Sequence, residues 1–263
     1  MGKVEGKQYC DASKVSIAPI AKSIAKDMII KKHYTHAWTA CRYALGVFYK
    51  NDKPDALGNF EELIGCLVYG VPVGRLTVKS ITDDLENDEC LELTRMYIHD
   101  GYGSNIESYC ISQSFRWLKE NAPTIKVLIS YADPEQDHEG KVYQATNWLY
   151  QSGDDIKLIP SYWFSVTNPH KWIHERSVNS KWGTVSIELL KSILGKNGVS
   201  EFWTKPMANK HRYLQILTDK REKRKIIDKL KHPTKPYPTS STNYTDLIER
   251  HETYEPENVV SFW

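Results

Sequence analysis

Short runs of branched and aromatic residues alternate with polar stretches that carry apolar positions at helical spacing, the pattern of an α+β protein. Residues 15–20 read as a first strand, and 21–32 as a helix with Ile24, Met28 and Ile29 on its apolar side. Tyr43, Leu45, Val47 and Tyr49 alternate over 42–50, the cluster Asn51-Asp52-Lys53-Pro54-Asp55 turns the chain, and 63–69 returns as the second arm of a hairpin. Residues 72–89 are polar, glycine-punctuated and without a period. A strand over 90–98 leads to a helix from Ser104 to Pro123, where Ser104 and Glu107 have the spacing of a capping box. The branched run at 125–129 has the character of a strand covered on both faces. Residues 138–150 read as a helix through Val142, Ala145 and Leu149, ended by Gln151-Ser152-Gly153. Strands over 156–166 and 210–217, a helix over 186–194 and a charged helix over 218–231 complete the order.

The stretch 125–134 is the chemical centre of this pattern. It turns polar at Ser130, Tyr131 and Asp133 before Pro134 stops further pairing. Strand ends of that kind are where α/β proteins hold ligands. Alternation sets Val127, Ile129, Tyr131 and Asp133 on one face and Ser130 on the other. Asp133 is then either a functional carboxylate or the cap of the helix that follows.

Other candidates lie elsewhere. Lys31-Lys32-His33-Tyr34-Thr35-His36 and Trp38 follow the first helix, with His33 and His36 as metal ligands, pocket walls or neither. Glu92 and Arg95 sit on opposite faces of the 90–98 strand, and because a buried charge needs a partner they form either a structural salt link or part of a site. Gly101-Tyr102-Gly103 ahead of a helix N-terminus can cradle a phosphate on backbone N–H groups, or simply open a capped helix.

Charge changes the picture locally. The 263 residues carry a net charge of only +2, but nine Lys and Arg between Lys210 and Lys231 face Asp219, Glu222 and Asp228 alone. That run is either a solvated helix face or a contact for a nucleic-acid backbone. Pro233, Pro236, Pro238 and Thr239-Ser240-Ser241-Thr242 read as a linker, and the apolar end Val259-Val260-Ser261-Phe262-Trp263 as a docking segment. The expected organisation is a catalytic domain over 1–217, a basic helix over 218–231 and a linker with an acidic tail over 232–263. Five scattered cysteines without a CxxC pair favour reduced thiols in a cytoplasmic protein, and no apolar run is long enough to span a membrane.

Ser130-Tyr131-Ala132-Asp133-Pro134, then His138 and Gly140, then Tyr143-Gln144-Ala145-Thr146-Asn147-Trp148 resemble the signature of the Mom family. Those are phage-encoded enzymes that modify adenine in DNA and are related to the GNAT acyltransferases. The resemblance runs over about 32–217 and implies a GNAT-like fold, a central mixed sheet flanked by helices, with a C-terminal extension. It implies conversion of adenine N6 to a carbamoylmethyl group in double-stranded DNA, an anti-restriction activity on a flipped base. Under it, Asp133, Tyr131, Ser130, His33 and His36 are expected to be catalytic, and Tyr34, Trp38, Tyr143, Asn147, Glu92 and Arg95 to bind substrate. Arg42, Lys210, His211, Arg212, Lys220 and Arg221 are expected to meet DNA. The donor is either an activated glycine such as glycyl-tRNA, with tRNA then a partner, or acetyl-coenzyme A; a metal requirement stays open. Alternatives are an N-acyltransferase acting on a small amine or protein, and a non-catalytic DNA-binding protein.

Overall fold

The computed structural model describes residues 9–136, 138–156, 161–239 and 247–254. In chain order these form β1 (Val15–Pro19), α1 (Lys22–Lys32), β2 (Tyr43–Lys50), β3 (Glu61–Gly70), β4 (Cys90–Ile98), α2 (Ile106–Asn121) and β5 (Val127–Ala132). Then come α3 (Lys141–Gln144), β6 (Leu149–Gln151), α4 (Gly153–Ile156), β7 (Ser161–Ser165), β8 (Ile173–His174), α5 (Glu175–Trp182) and α6 (Ile187–Lys196). The chain ends with β9 (Glu201–Met207), β10 (His211–Ile216), α7 (Lys220–Asp228) and β11 (Glu249–Glu252). Two compact units result, where the sequence suggested one domain to residue 217. The first comprises the chain to Ala132, Gly140–Asp155 and His211–Tyr237; the second takes Asp133–Glu139, Ile156–Lys210 and the chain from Pro238.

The first unit is built on a seven-stranded mixed sheet in the order β1-β2-β3-β4-β5-β10-β6. Every neighbouring pair is antiparallel except β4 and β5, which are parallel and joined by the α2 crossover. That parallel ladder lasts only from Cys90↔Val127 to Glu92↔Ile129. Beyond it β4 stays paired with β3 as far as Ile98, and β5 stays paired with β10 as far as Ala132. The two strands therefore part in the middle of the sheet and leave a wedge. A bulge at Val68/Tyr69, opposite the start of the wedge, adds local twist.

One face of this sheet packs Leu45, Leu67, Leu91 and Leu128 against Ile106, Cys110, Ile111 and Leu118 of α2. The other face is covered by Ala25 and Ile29 of α1 and, farther along, by Ile226 of α7 against Val127, Ile129 and Leu214. Val78, Ile81 and Leu85 join that second layer, so the patternless stretch 72–89 contributes core without regular structure. In the second unit, the antiparallel sheet β11-β9-β7-β8 buries Phe164 and Phe202 against Val178, Leu190 and Leu194 of α5 and α6.

Three expectations change. The buried face of α1 holds Ala25 and Ile29, while Ile24 is exposed. The capping box fails because the helix starts one residue later: Asn105, with φ +68°, is the N-cap without a side-chain bond, which puts Glu107 at the second helical position and not the third. The helix expected over 138–150 is a single turn, α3. Asn147 enters the left-handed region at φ +58°, Trp148 N bonds to Tyr143 O and Asn147 N to Gln144 O, both at 3.1 Å, which is a Schellman stop. The chain then leaves as edge strand β6. Gly140 opens the turn at φ +73°, and a Cβ there would lie 2.4 Å from the Tyr213 ring. The docking segment 259–263 and most of the expected Ser/Thr linker lie outside the described residues.

Candidate active site at the strand wedge

Ser130 spans the gap where β4 and β5 part. Its Oγ lies 3.0 Å from Leu93 O and 2.8 Å from the Tyr143 hydroxyl. A carbonyl only accepts and a serine has one proton, so Ser130 donates to Leu93 and Tyr143 donates to Ser130. The Tyr143 ring is held between Trp148 and Tyr213 at centroid distances of 5.1 Å. Burial pushes its phenol up to about 12, and the Tyr34 phenol and Glu92 carboxylate add to the shift. Tyr131, across the strand, is also pushed up to about 12, by burial first, with Arg212 opposing and Glu92 adding. Glu92, the last β4 residue paired with β5, thus acts on both phenols from the mouth of the wedge. Its Oε2 accepts from Val73 N at 3.3 Å. Both tyrosines stay protonated at neutral pH.

The segment after α1 is tied to the same strand. Arg95 donates from Nε to Ala37 O at 3.1 Å and from Nη1 to Thr94 O at 2.6 Å, and it makes no ion pair among the described residues. Of the two readings of Glu92 and Arg95, the salt link is not made, and Arg95 fixes a loop instead. Within that loop His33, buried, accepts at Nδ1 from Thr35 N at 3.2 Å, which puts the proton of its neutral ring on Nε2. His36 Nδ1 lies 2.9 Å from Ile30 O and must donate, so the Nε2 of its neutral ring is a lone-pair acceptor. The two rings hold opposite tautomers. Trp38 packs with Met28 and Tyr97 against the Ala25–Ile29 cluster. Among the described residues no group of three or more His, Cys, Asp or Glu is arranged to hold a metal ion.

The remaining candidates fall in different places. Asp133 lies off the strand, which ends at Ala132, and belongs to the second unit. Its Oδ1 accepts from Glu135 N at 3.1 Å and its Oδ2 is 3.2 Å from Lys210 Nζ, so it caps a turn and pairs a cation. Asn147 serves the backbone stop described above. Arg42 is exposed over the Tyr43 ring, and Lys220 and Arg221 are exposed on α7. His211 Nδ1 lies 3.0 Å from the Tyr150 hydroxyl.

Arg212 requires a correction. It is 1% exposed, with Nε on Gln151 Oε1 at 2.8 Å and Nη1 on Ser80 Oγ at 2.7 Å, so it cannot reach a phosphodiester. It is an internal cation satisfied by neutral acceptors, and burial lowers its pKa against the opposing effect of Tyr131. Ser80 carried no signal in the sequence because it falls in the patternless stretch. The Tyr143–Ser130–Leu93 link was half visible, since alternation separated Ser130 from Tyr131.

The glycine loop is also explained without a phosphate. A Cβ on Gly103, at φ +96°, would lie 2.5 Å from Cys10 N, so glycine is needed for the close approach of the preceding chain. A cavity of about 390 Å³ at the entry of α2 is lined by Tyr9, Tyr49, Tyr102, Asp11, Asp100 and Glu107. Three carboxylates beside a helix N-terminus oppose a pyrophosphate.

The model of the Mom protein family matches residues 14–239. The chain belongs to the Mom protein family. A curated member, the methylcarbamoylase mom of Escherichia phage Mu, is 27% identical over 229 residues, covering 86% of this chain and 85% of that protein. Among solved structures, an aminoglycoside acetyltransferase with coenzyme A and kanamycin aligns at 9% identity and TM-score 0.36, covering 65% of this Mom-family chain and 99% of its own. Spermidine N-acetyltransferase from Vibrio cholerae aligns at 10% identity and TM-score 0.32, covering 53% and 83%. The α+β class and mixed central sheet expected from the sequence are present, and among the described residues no helix is long and apolar enough to cross a membrane.

Proposed function

We propose that this chain modifies adenine in duplex DNA, converting N6 to a carbamoylmethyl group by acyl transfer at the wedge between β4 and β5. The observation that carries the reading is the Tyr143–Ser130–Leu93 bridge, where the sheet opens, with Ser130 and Tyr143 both part of the family signature. An adenine buried in a stack must be flipped to react, and its N6 lone pair is delocalised into the ring. Attack on a carbonyl therefore needs a proton acceptor and donors for the developing oxyanion. Glu92 is the carboxylate at the wedge, the protonated Tyr131 and Tyr143 are the donors, with Tyr143 turning its one proton from Ser130 to the oxyanion as charge develops, and His33, Tyr34 and His36 form a wall against which the base rests.

The acyl group is glycyl. Placed on N6, a glycyl group carries every atom of the product. Its free amine attacks C6 through a five-membered ring, the C6–N6 bond breaks, and a new C6–N bond leaves a terminal amide, with the proton passing between the two nitrogens. An ester of glycine such as glycyl-tRNA supplies that group by ordinary acyl transfer. The acidic residues at the entry of α2 support this over a coenzyme A thioester, whose pyrophosphate they repel. The same cavity favours a second reading, an N-acyltransferase whose acceptor is a small cationic amine. Purified protein given duplex DNA, glycyl-tRNA and acetyl-coenzyme A separately decides. Gain of one glycyl unit on adenine from glycyl-tRNA is expected; acetylated adenine from acetyl-coenzyme A, or an acylated amine with unchanged DNA, would overturn it.

A further inference from the structure

The four-stranded sheet of the second unit has a face that the proposed reaction does not use. Phe164 and Phe202 point to α5 and α6, so alternation turns Trp163, Trp203 and Lys205 to the opposite side. Ser165 Oγ accepts from Thr167 N at 3.2 Å and Lys171 N at 3.1 Å, which folds the β7–β8 loop back over that side. The loop brings His170 to 4.7 Å from the Trp172 ring and 5.1 Å from the Trp203 ring, while Lys205 Nζ lies 5.2 Å above Trp172. All four side chains are half-buried, and Lys171 beside them is exposed. Among the described residues neither the Trp172 nor the Trp203 indole N–H has a protein acceptor, although both are accessible.

Charge accompanies the rings in Lys205 and the exposed Lys171. A core cluster of aromatic residues does not need cations above it or unsatisfied donors at its rim. Stacked unpaired bases use all three features: ring faces for the base, indole N–H groups for its edge, and ammonium groups for the phosphodiester between bases.

We propose that His170, Trp172, Trp203 and Lys205 form a stacking platform for an unpaired strand of the DNA substrate. This rests on the reading of the chain as a DNA-modifying enzyme, which is where a locally unpaired strand arises. The occupant is DNA because the duplex opened around a flipped base supplies unpaired bases and phosphates together.

The full-length protein tests this through fluorescence anisotropy with a labelled eight-nucleotide single-stranded DNA, the same sequence in RNA, and a blunt hairpin duplex. Trp172→Leu should weaken single-stranded DNA binding by on the order of tenfold. Trp172→Phe should restore most of it, Lys205→Gln should reduce its salt dependence, and duplex affinity should change less than about twofold. Equal losses on single-stranded and duplex DNA, no loss in either, or tighter binding of the RNA would each overturn the assignment. Digestion of DNA treated with the wild-type protein is run beside it. Absence of modified adenine there defeats the proposed function, whereas unchanged oligonucleotide binding by the variants defeats the platform alone.

Discussion

Ser130 has one proton and two oxygen neighbours, and that count sets the direction of every bond at the wedge. Tyr143→Phe removes the donor without removing the ring from between Trp148 and Tyr213, so the fold should survive. Turnover should fall on the order of a hundredfold with little change in DNA affinity, as for loss of a single transition-state donor. Because the Tyr143 phenol is pushed up to about 12, kcat should show no alkaline decline from it below about pH 10, which a pH–rate profile checks. Asp133→Asn separates charge from capping, since an asparagine oxygen still accepts from Glu135 N. We expect it to bind and modify DNA at near wild-type levels; loss of modification would give Asp133 a part in the reaction beyond its cap. Arg212→Gln strips donors from Ser80 and Gln151 in a dry environment and should destabilise the protein by ~2–4 kcal/mol while leaving the salt dependence of DNA binding unchanged. Denaturant titration and binding isotherms separate those effects.

At the scale of elements, what was legible followed from local patterns. The limits of strands β1 to β4 in the sequence and the structure differ by at most two residues, and β5, read from a continuous branched run at 125–129, extends three residues past it. Their pairing into a parallel step with a wedge was not legible, because it depends on which neighbour each strand keeps after Glu92 and Ile129. The helix expected over 138–150 failed for a physical reason: three apolar residues at the right spacing do not outweigh an asparagine that accepts a left-handed backbone. His33 and His36 were visible as types, but their opposite tautomers come from bonds to Thr35 and Ile30. The α7 helix combines both kinds of signal, with Ile226 packed on the sheet and its cations turned outward. Replacing Lys220, Arg221, Lys223, Arg224 and Lys225 by Gln should flatten the slope of log affinity against log salt. An unchanged slope would move the DNA path to Arg42 and Lys210.

For the molecule as a whole, burial of titratable groups sets the stability limits. Cys66, Cys90 and Cys110 are fully buried and their thiols are pushed from 9.0 to about 12, and Tyr131 and Tyr143 from 10.0 to about 12. The folded chain keeps protons that the unfolded chain releases, so this contribution is complete below about pH 9 and is lost as pH rises toward 12. The melting temperature, followed by circular dichroism, should be flat from pH 8 to 9 and fall from there, more steeply above pH 10; a constant value to pH 11 would contradict the assignment. The central claim is that the wedge acts on adenine in DNA. The most direct measurement is mass spectrometry of nucleosides from the DNA of cells expressing the wild-type chain or Tyr143→Phe. The account predicts N6-carbamoylmethyladenine from the wild type and its near absence from the variant. Unmodified adenine from the wild type, or equal modification by both, would contradict it.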